Sequence, residues 1–144
     1  MTDMKPPSWR TLVQMTRPGF LAITAVACLL GTSVAVASGH RPNGWTALAT
    51  LLLAVLMHAA ANVLNDYHDA LNGADDANTQ GLFPFTGGAR LIQNGHVSVE
   101  DTHDLAKALI LFLIPCGVLL SVQTGGGLLL LGLVGLLLGW GYSA

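Results

Sequence analysis

The chain has 144 residues, of which 52% are hydrophobic and 10% charged, and its mean hydropathy is +0.58. Soluble domains carry about 25% charged residues, so this composition excludes an ordinary water-soluble domain and indicates an integral membrane protein. A formal net charge of -2 supplies no basic patch and gives nucleic-acid binding no electrostatic support.

Residues 1–19 are polar and then weakly amphipathic. Trp9, Leu12, Val13 and Phe20 alternate with Lys5, Arg10 and Arg17, which predicts a short helix lying at the membrane interface. A cleavable signal peptide is not expected, because Pro6 and Pro7 precede an apolar run of full spanning length. Arg17-Pro18-Gly19 opens that run, proline being tolerated in the first turn of a helix.

The first span is expected over 20–38, where Thr24, Thr32 and Ser33 can bond back to the helix backbone. A turn-rich loop follows over 38–44. Trp45 marks the next interface, and the second span is expected over 46–64. A long polar connection occupies 65–104, and the third span 105–122 contains Pro115, which predicts a kink. Thr124-Gly125-Gly126-Gly127 makes a tight turn into a fourth span over 127–143, short for ~30 Å of hydrocarbon unless it reaches Tyr142 or beyond. The expected fold is therefore all-α, a multi-pass transmembrane helical bundle forming one membrane domain.

Basic residues set the expected orientation. Lys5, Arg10 and Arg17 precede the first span, Arg90 and Lys107 flank the connection, and Arg41 alone falls on the other side. The N-terminus, the connection and the C-terminus are then cytoplasmic, in a cell membrane crossed four times. Cys28 and Cys116 sit in separate apolar runs and read as packing residues. Gly135 and Gly139 form a G-x-x-x-G pair, read first as close intramolecular helix packing and second as a dimer seam.

Seven of the eight acidic residues lie between Asp66 and Asp104, and four of them fall in 62–76, N-V-L-N-D-Y-H-D-A-L-N-G-A-D-D. On a helix, Asn62, Asp66, Asp69 and position 73 recur at i, i+4, i+7 and i+11, within an arc of roughly 60°. One face thus presents an amide and two carboxylates at the end of a hydrophobic helix. The bland alternative is that 65–76 is only a solvated loop beginning at a helix end, with Asn72-Gly73 as a turn within it. Against it stand the closeness of Asp66 to the last apolar residues and the position of Asn62 a turn deeper, where an amide needs a partner.

A helix C-terminus also favours a cation. Mg²⁺ takes one or two protein carboxylates, keeps waters and binds phosphate oxygens, which suits Asp66 and Asp69. Downstream, Phe83-Pro84-Phe85-Thr86-Gly87-Gly88-Ala89-Arg90 places two glycines before an arginine. Glycines let backbone approach an anion and Arg90 supplies a fork of donors, although Arg90 can equally be a positive-inside residue. Ser98-x-x-Asp101 resembles a capping box for the helix into the third span. His58, one turn below Asn62, reads as an interhelical hydrogen-bonding residue. His68, His96 and His103 read as surface residues.

Asn62-x-x-Asn65-Asp66-x-x-Asp69 resembles the first aspartate motif of the UbiA-type intramembrane prenyltransferases. The form Asn65-Asp66-Tyr67-x-Asp69-x-x-x-Gly73-x-Asp75 is most similar to the branch acting on 1,4-dihydroxy-2-naphthoate in menaquinone biosynthesis. Arg17-Pro18, Gly87-Gly88-Ala89-Arg90 and the closing Gly139-Trp140-Gly141-Tyr142-Ser143-Ala144 are similar to that family as well. The resemblance implies Mg²⁺-dependent transfer of a polyprenyl group from its diphosphate to an aromatic acceptor. Asp66 and Asp69 would act as the catalytic pair, with Asp66, Asp69 and Asp75 as metal ligands and Asn62, Asn65 and Arg90 on the diphosphate side. Ionisation would give an allylic cation that the electron-rich ring attacks, with loss of carboxylate in the naphthoate branch.

The chain departs from the family at two points. Position 73 is glycine in place of a third aspartate, with Asp75 two residues on. At about 20 residues per span the chain has room for four spans, where the family has about nine and a second aspartate motif. An N-terminal portion, inactive by itself and completed by a missing C-terminal half, is the expectation. Other classes open to the same carboxylates are a small multi-pass ion-binding or transport protein and a non-catalytic assembly partner. Transport sites lie near the bilayer midplane on broken helices, whereas Asp66 lies at the end of its span.

Overall fold

The computed structural model describes residues 6–83 and 88–143, the side chains of residues 142 and 143 excepted. Lys5, the Pro84-Phe85-Thr86-Gly87 part of the glycine–arginine segment, the closing Ala144 and the Tyr142 side chain lie outside the described residues.

The described residues form six helices and no strands. The interfacial helix expected near the N-terminus is α1, Trp9–Met15, whose N-cap Ser8 accepts from the Thr11 N–H. Helix α2, Pro18–Ala37, starts on Pro18 as expected. Helix α3, Gly44–Asn72, is capped by the Asn43 side chain, and α4, Ala74–Ala77, is a single turn. Helix α5, Val99–Thr124, runs through Pro115 and begins with both halves of the Ser98/Asp101 capping box. Gly125, at φ 104, separates it from α6, Gly126–Ser143. Helices α2, α3 and α5 are long and apolar enough to cross a membrane, and α6 is a shorter apolar helix. The chain is thus a multi-pass membrane helical bundle.

Helix α3 is the centre of the bundle and packs on α2, α5 and α6. Thr24 Oγ1 on α2 and His58 Nδ1 on α3 lie 2.8 Å apart, the interhelical bond expected of His58. A Cβ built on Gly135 or Gly139 would meet Met57 or Ala61 of α3 at 4.0 and 3.9 Å. Both glycines thus face α3 within the chain, where a Cβ would make only ordinary van der Waals contact.

Ala59, Ala60, Leu113 and Leu120 are buried outside the main buried cluster. That cluster consists of Met15, Val63, Val97 and Ala106, with Leu12, Leu64, Leu91, Ile92, Leu105 and Leu109 packed around them. Apolar residues of the connection fold back over α3 here, while Ile23, Val26 and Leu30 of α2 stay exposed. Lipid tails are as apolar as leucine, so helix flanks gain little by burial. Near the aqueous boundary, burial has its ordinary hydrophobic gain, about 25 cal/mol per Å² of apolar surface. The tight core therefore forms just beneath the acidic stretch and fixes it.

Candidate functional site

The acidic residues leave the membrane on helix. The second span reads as ending near residue 64, yet α3 continues two turns to Asn72 before Gly73 closes it in the left-handed region at φ 78. Asp66 and Asp69 consequently keep the i, i+3 relation that puts them on one face. The Asn72-Gly73 turn anticipated from sequence is present, with Asn72 Oδ1 accepting from the Ala74 N–H at 2.8 Å. Gly73 ends α3 and starts α4, which carries Asp75 back towards α3. Asp66 and Asp75 are both buried, at 8% and 4% exposure.

Two arginines border these carboxylates, and both hold the left-handed backbone that non-glycine residues rarely adopt, at φ 52. Arg17 lies at the α1–α2 junction and its Nη2 donates to Asp66 Oδ1 in a largely buried ion pair. Asn62, a turn below Asp66, donates from Nδ2 to the Thr16 carbonyl at 2.9 Å. The amide that needed a partner inside the span thus fixes the backbone next to Arg17. Arg90 Nη1 donates to the carbonyls of Asp75 and Asn78, both at 2.8 Å, and its guanidinium lies 4.8 Å from the centroid of the Phe83 ring. Arg90 therefore ties off the C-terminal end of α4, where cations are favoured.

Gly88 explains the glycines before Arg90. It is buried with φ +67, and a Cβ there would come within 2.5 Å of Arg17 Nη2 and 2.7 Å of Asp66 Oδ1. Only glycine lets the connection lie this close on the ion pair.

Charge is concentrated without full compensation. Burial first, and then the negative charge of Asp69, push the Asp75 carboxyl above its usual range, while Arg17 and Arg90 pull it down. Among the described residues, no His, Cys, Asp or Glu group of three is close enough to enclose a metal ion. Asp66, Asp69 and Asp75 offer hard carboxylate oxygens, so a cation held by one or two of them would complete its shell with water and ligand oxygens. Mg²⁺ is bound in that way and Zn²⁺ in closed N/S sites is not. The residues present fit a hard divalent cation.

Of the residues singled out from sequence, Asp66, Asp69 and Asp75 lie within electrostatic range of one another without forming a closed cluster. Asn62 donates to the Thr16 carbonyl and Arg90 to the backbone of α4, and Asn65 lies on α3 one residue before Asp66. From sequence, Arg17 reads as an interfacial, orienting charge and as part of the family-like Arg17-Pro18 pair, not as a partner of the aspartates. Its position directly before Pro18, at the end of the first span that faces the acidic stretch, was the available signal.

The sequence model of the UbiA prenyltransferase family matches residues 21–144. The chain is 32% identical over 132 residues to the 1,4-dihydroxy-2-naphthoate octaprenyltransferase of Bacillus subtilis (strain 168), covering 92% of this chain and 40% of that protein. It is 29% identical over 111 residues to the Escherichia coli (strain K12) protein of the same name, covering 77% of this chain and 33% of the relative. The chain thus spans well under half the length of these curated relatives. No solved structure matches at comparable significance.

Proposed function

The chain belongs to the UbiA prenyltransferase family, and from that premise we propose that it carries the diphosphate end of a polyprenyl-transfer site. In this reading, a polyprenyl group passes from its diphosphate to an aromatic quinone precursor, 1,4-dihydroxy-2-naphthoate, in menaquinone biosynthesis. The acceptor comes from the names of the two relatives and from the Gly73-x-Asp75 form of the motif.

The proposal is carried by Asp66, Asp69 and buried Asp75, grouped within electrostatic range at the end of α3, with Asn62 and Arg90 holding the backbone beside them. Asp66 and Asp69 would hold Mg²⁺, with Asp75 beside them. A cation held there supplies the positive charge that favours departure of diphosphate from the allylic carbon. Asn62 and Asn65 support the two carboxylates, and Arg90 offers phosphate oxygens the N–H groups that its carbonyl partners leave over. The exposed apolar flanks of the spans provide the surface along which a prenyl chain lies. Helix α3 is continuous from Gly44 to Asn72, so it lacks the broken midplane helix on which transport sites are built.

The sequence contains one aspartate motif where the family resemblance implies two. Turnover is accordingly proposed to need a complementary half, while diphosphate binding belongs to this chain. Membranes containing the chain should retain labelled polyprenyl diphosphate in a Mg²⁺-dependent manner. Asp66→Asn should weaken retention about tenfold or more, the equivalent of at least 1.4 kcal/mol. Transfer to the naphthoate should appear when a half bearing the second motif is supplied. Undiminished retention by Asp66→Asn overturns the assignment.

A further inference from the structure

Arg17 makes an ion pair with the carboxylate that the proposed site assigns to a cation. Among the described residues, it is the one guanidinium in ion-pair contact with Asp66, Asp69 or Asp75. The pair is sealed from several sides. Gly88 covers it at a distance no larger residue allows. Asn62 fixes the preceding carbonyl, and the left-handed backbone at Arg17 turns its side chain inward from the N-cap of α2 without a capping bond. Non-glycine residues in this region are retained where the surroundings over-determine them, often at switches and ligand clamps.

Two details set Arg17 apart from a permanent structural brace. Its Nε is buried and without a hydrogen-bond partner, so one donor of the fork is reserved for an acceptor the protein does not provide. The residue also lines a groove of about 840 Å³, shared with Gln14, Phe20, Ile23, Asn94 and His96, into which a released side chain can swing.

We propose that Arg17 is the resident counter-ion of the aspartate site, holding Asp66 until a divalent cation takes that carboxylate and then presenting its freed guanidinium to phosphate oxygens. The proposal rests on the cation-site reading above. A single positive charge on a carboxylate yields to a doubly charged ion, because Coulomb attraction scales with charge at equal distance. Cation binding and release of Arg17 are then linked, so removing the competitor strengthens cation binding. Arg17 is in this sense a positioning residue that makes diphosphate capture follow cation loading.

The test uses the whole chain in lipid nanodiscs with Mn²⁺ as probe, binding being read from the paramagnetic resonance of free Mn²⁺. Arg17→Gln should lower the Mn²⁺ dissociation constant about tenfold, and Arg17→Lys, which keeps the competing charge, should stay near wild type. An unchanged or raised constant in Arg17→Gln overturns the proposal. In the unaltered protein, phenylglyoxal should modify Arg17 faster with Mn²⁺ than without, as read by peptide mass spectrometry. Equal or slower modification overturns the proposal even if the variant does not fold. Asp66→Asn and Asp69→Asn separate the two layers. If both bind Mn²⁺ like wild type, the cation site itself is wrong. If they lose it while Arg17→Gln gains nothing, only the role of Arg17 fails.

Discussion

Asp75 shows how one buried carboxyl ties the site to pH. Burial and the neighbouring charge of Asp69 raise its folded pKa above the usual 3.8. A raised carboxyl pKa stabilises the fold fully below the unfolded value, and that contribution is lost as pH rises through the folded one. The α4 turn should therefore loosen as pH climbs from 3.8 through the raised value, because a buried charge must then be carried without an ion-pair partner. Amide exchange at residues 74–78, corrected for the intrinsic pH effect, should quicken across that window in wild type and stay flat in Asp75→Asn. Equal slopes in both proteins would remove Asp75 as the cause. Gly88 and Arg17 belong to the same scale. The Gly-Gly-Ala-Arg run announced a close backbone approach, but what is approached is an ion pair contributed by residues 49 positions apart. No local signal predicts an arginine at positive φ.

Among the elements, helix starts were the most legible, since a cap is a local hydrogen-bond pattern. Ser98 Oγ accepts from the Asp101 N–H at 2.9 Å, and Asp101 Oδ2 accepts from the Ser98 N–H at 3.1 Å. Both halves of the box lie where α5 leaves the connection, next to buried Val97 and Thr102. Ser98→Ala should cost about 1 kcal/mol of stability, measured as denaturant unfolding in detergent micelles, and a loss within error of zero would show the cap to be idle. The end of α3 was less legible because two signals part company there. Hydropathy falls after Leu64, whereas nothing stops the helix until Gly73 takes its left-handed conformation. Hydropathy thus bounds the span and glycine bounds the helix. The acidic face exists because the second boundary lies two turns beyond the first.

For the whole molecule, the charge asymmetry of the loops makes a directional claim that labelling can check. With Cys28 and Cys116 replaced, Gln93→Cys in the connection should react with an impermeant maleimide from the cytoplasmic side alone. Arg41→Cys should react from the opposite side alone, and the reverse pattern would invert the proposed topology. By itself the sequence determined the membrane class, the positions of the apolar helices, the capping of α5, the Asn72-Gly73 turn and the carboxylate face of α3. Each of these follows from composition, periodicity or spacing within about a dozen residues, where backbone geometry is nearly fixed. Only the tertiary structure decided that Arg17 meets Asp66, that Asn62 serves the Thr16 carbonyl and that Arg90 clamps α4. Those choices depend on which helix ends the bundle brings together and on two arginines held in left-handed backbone by their surroundings, and neither condition is written in local sequence.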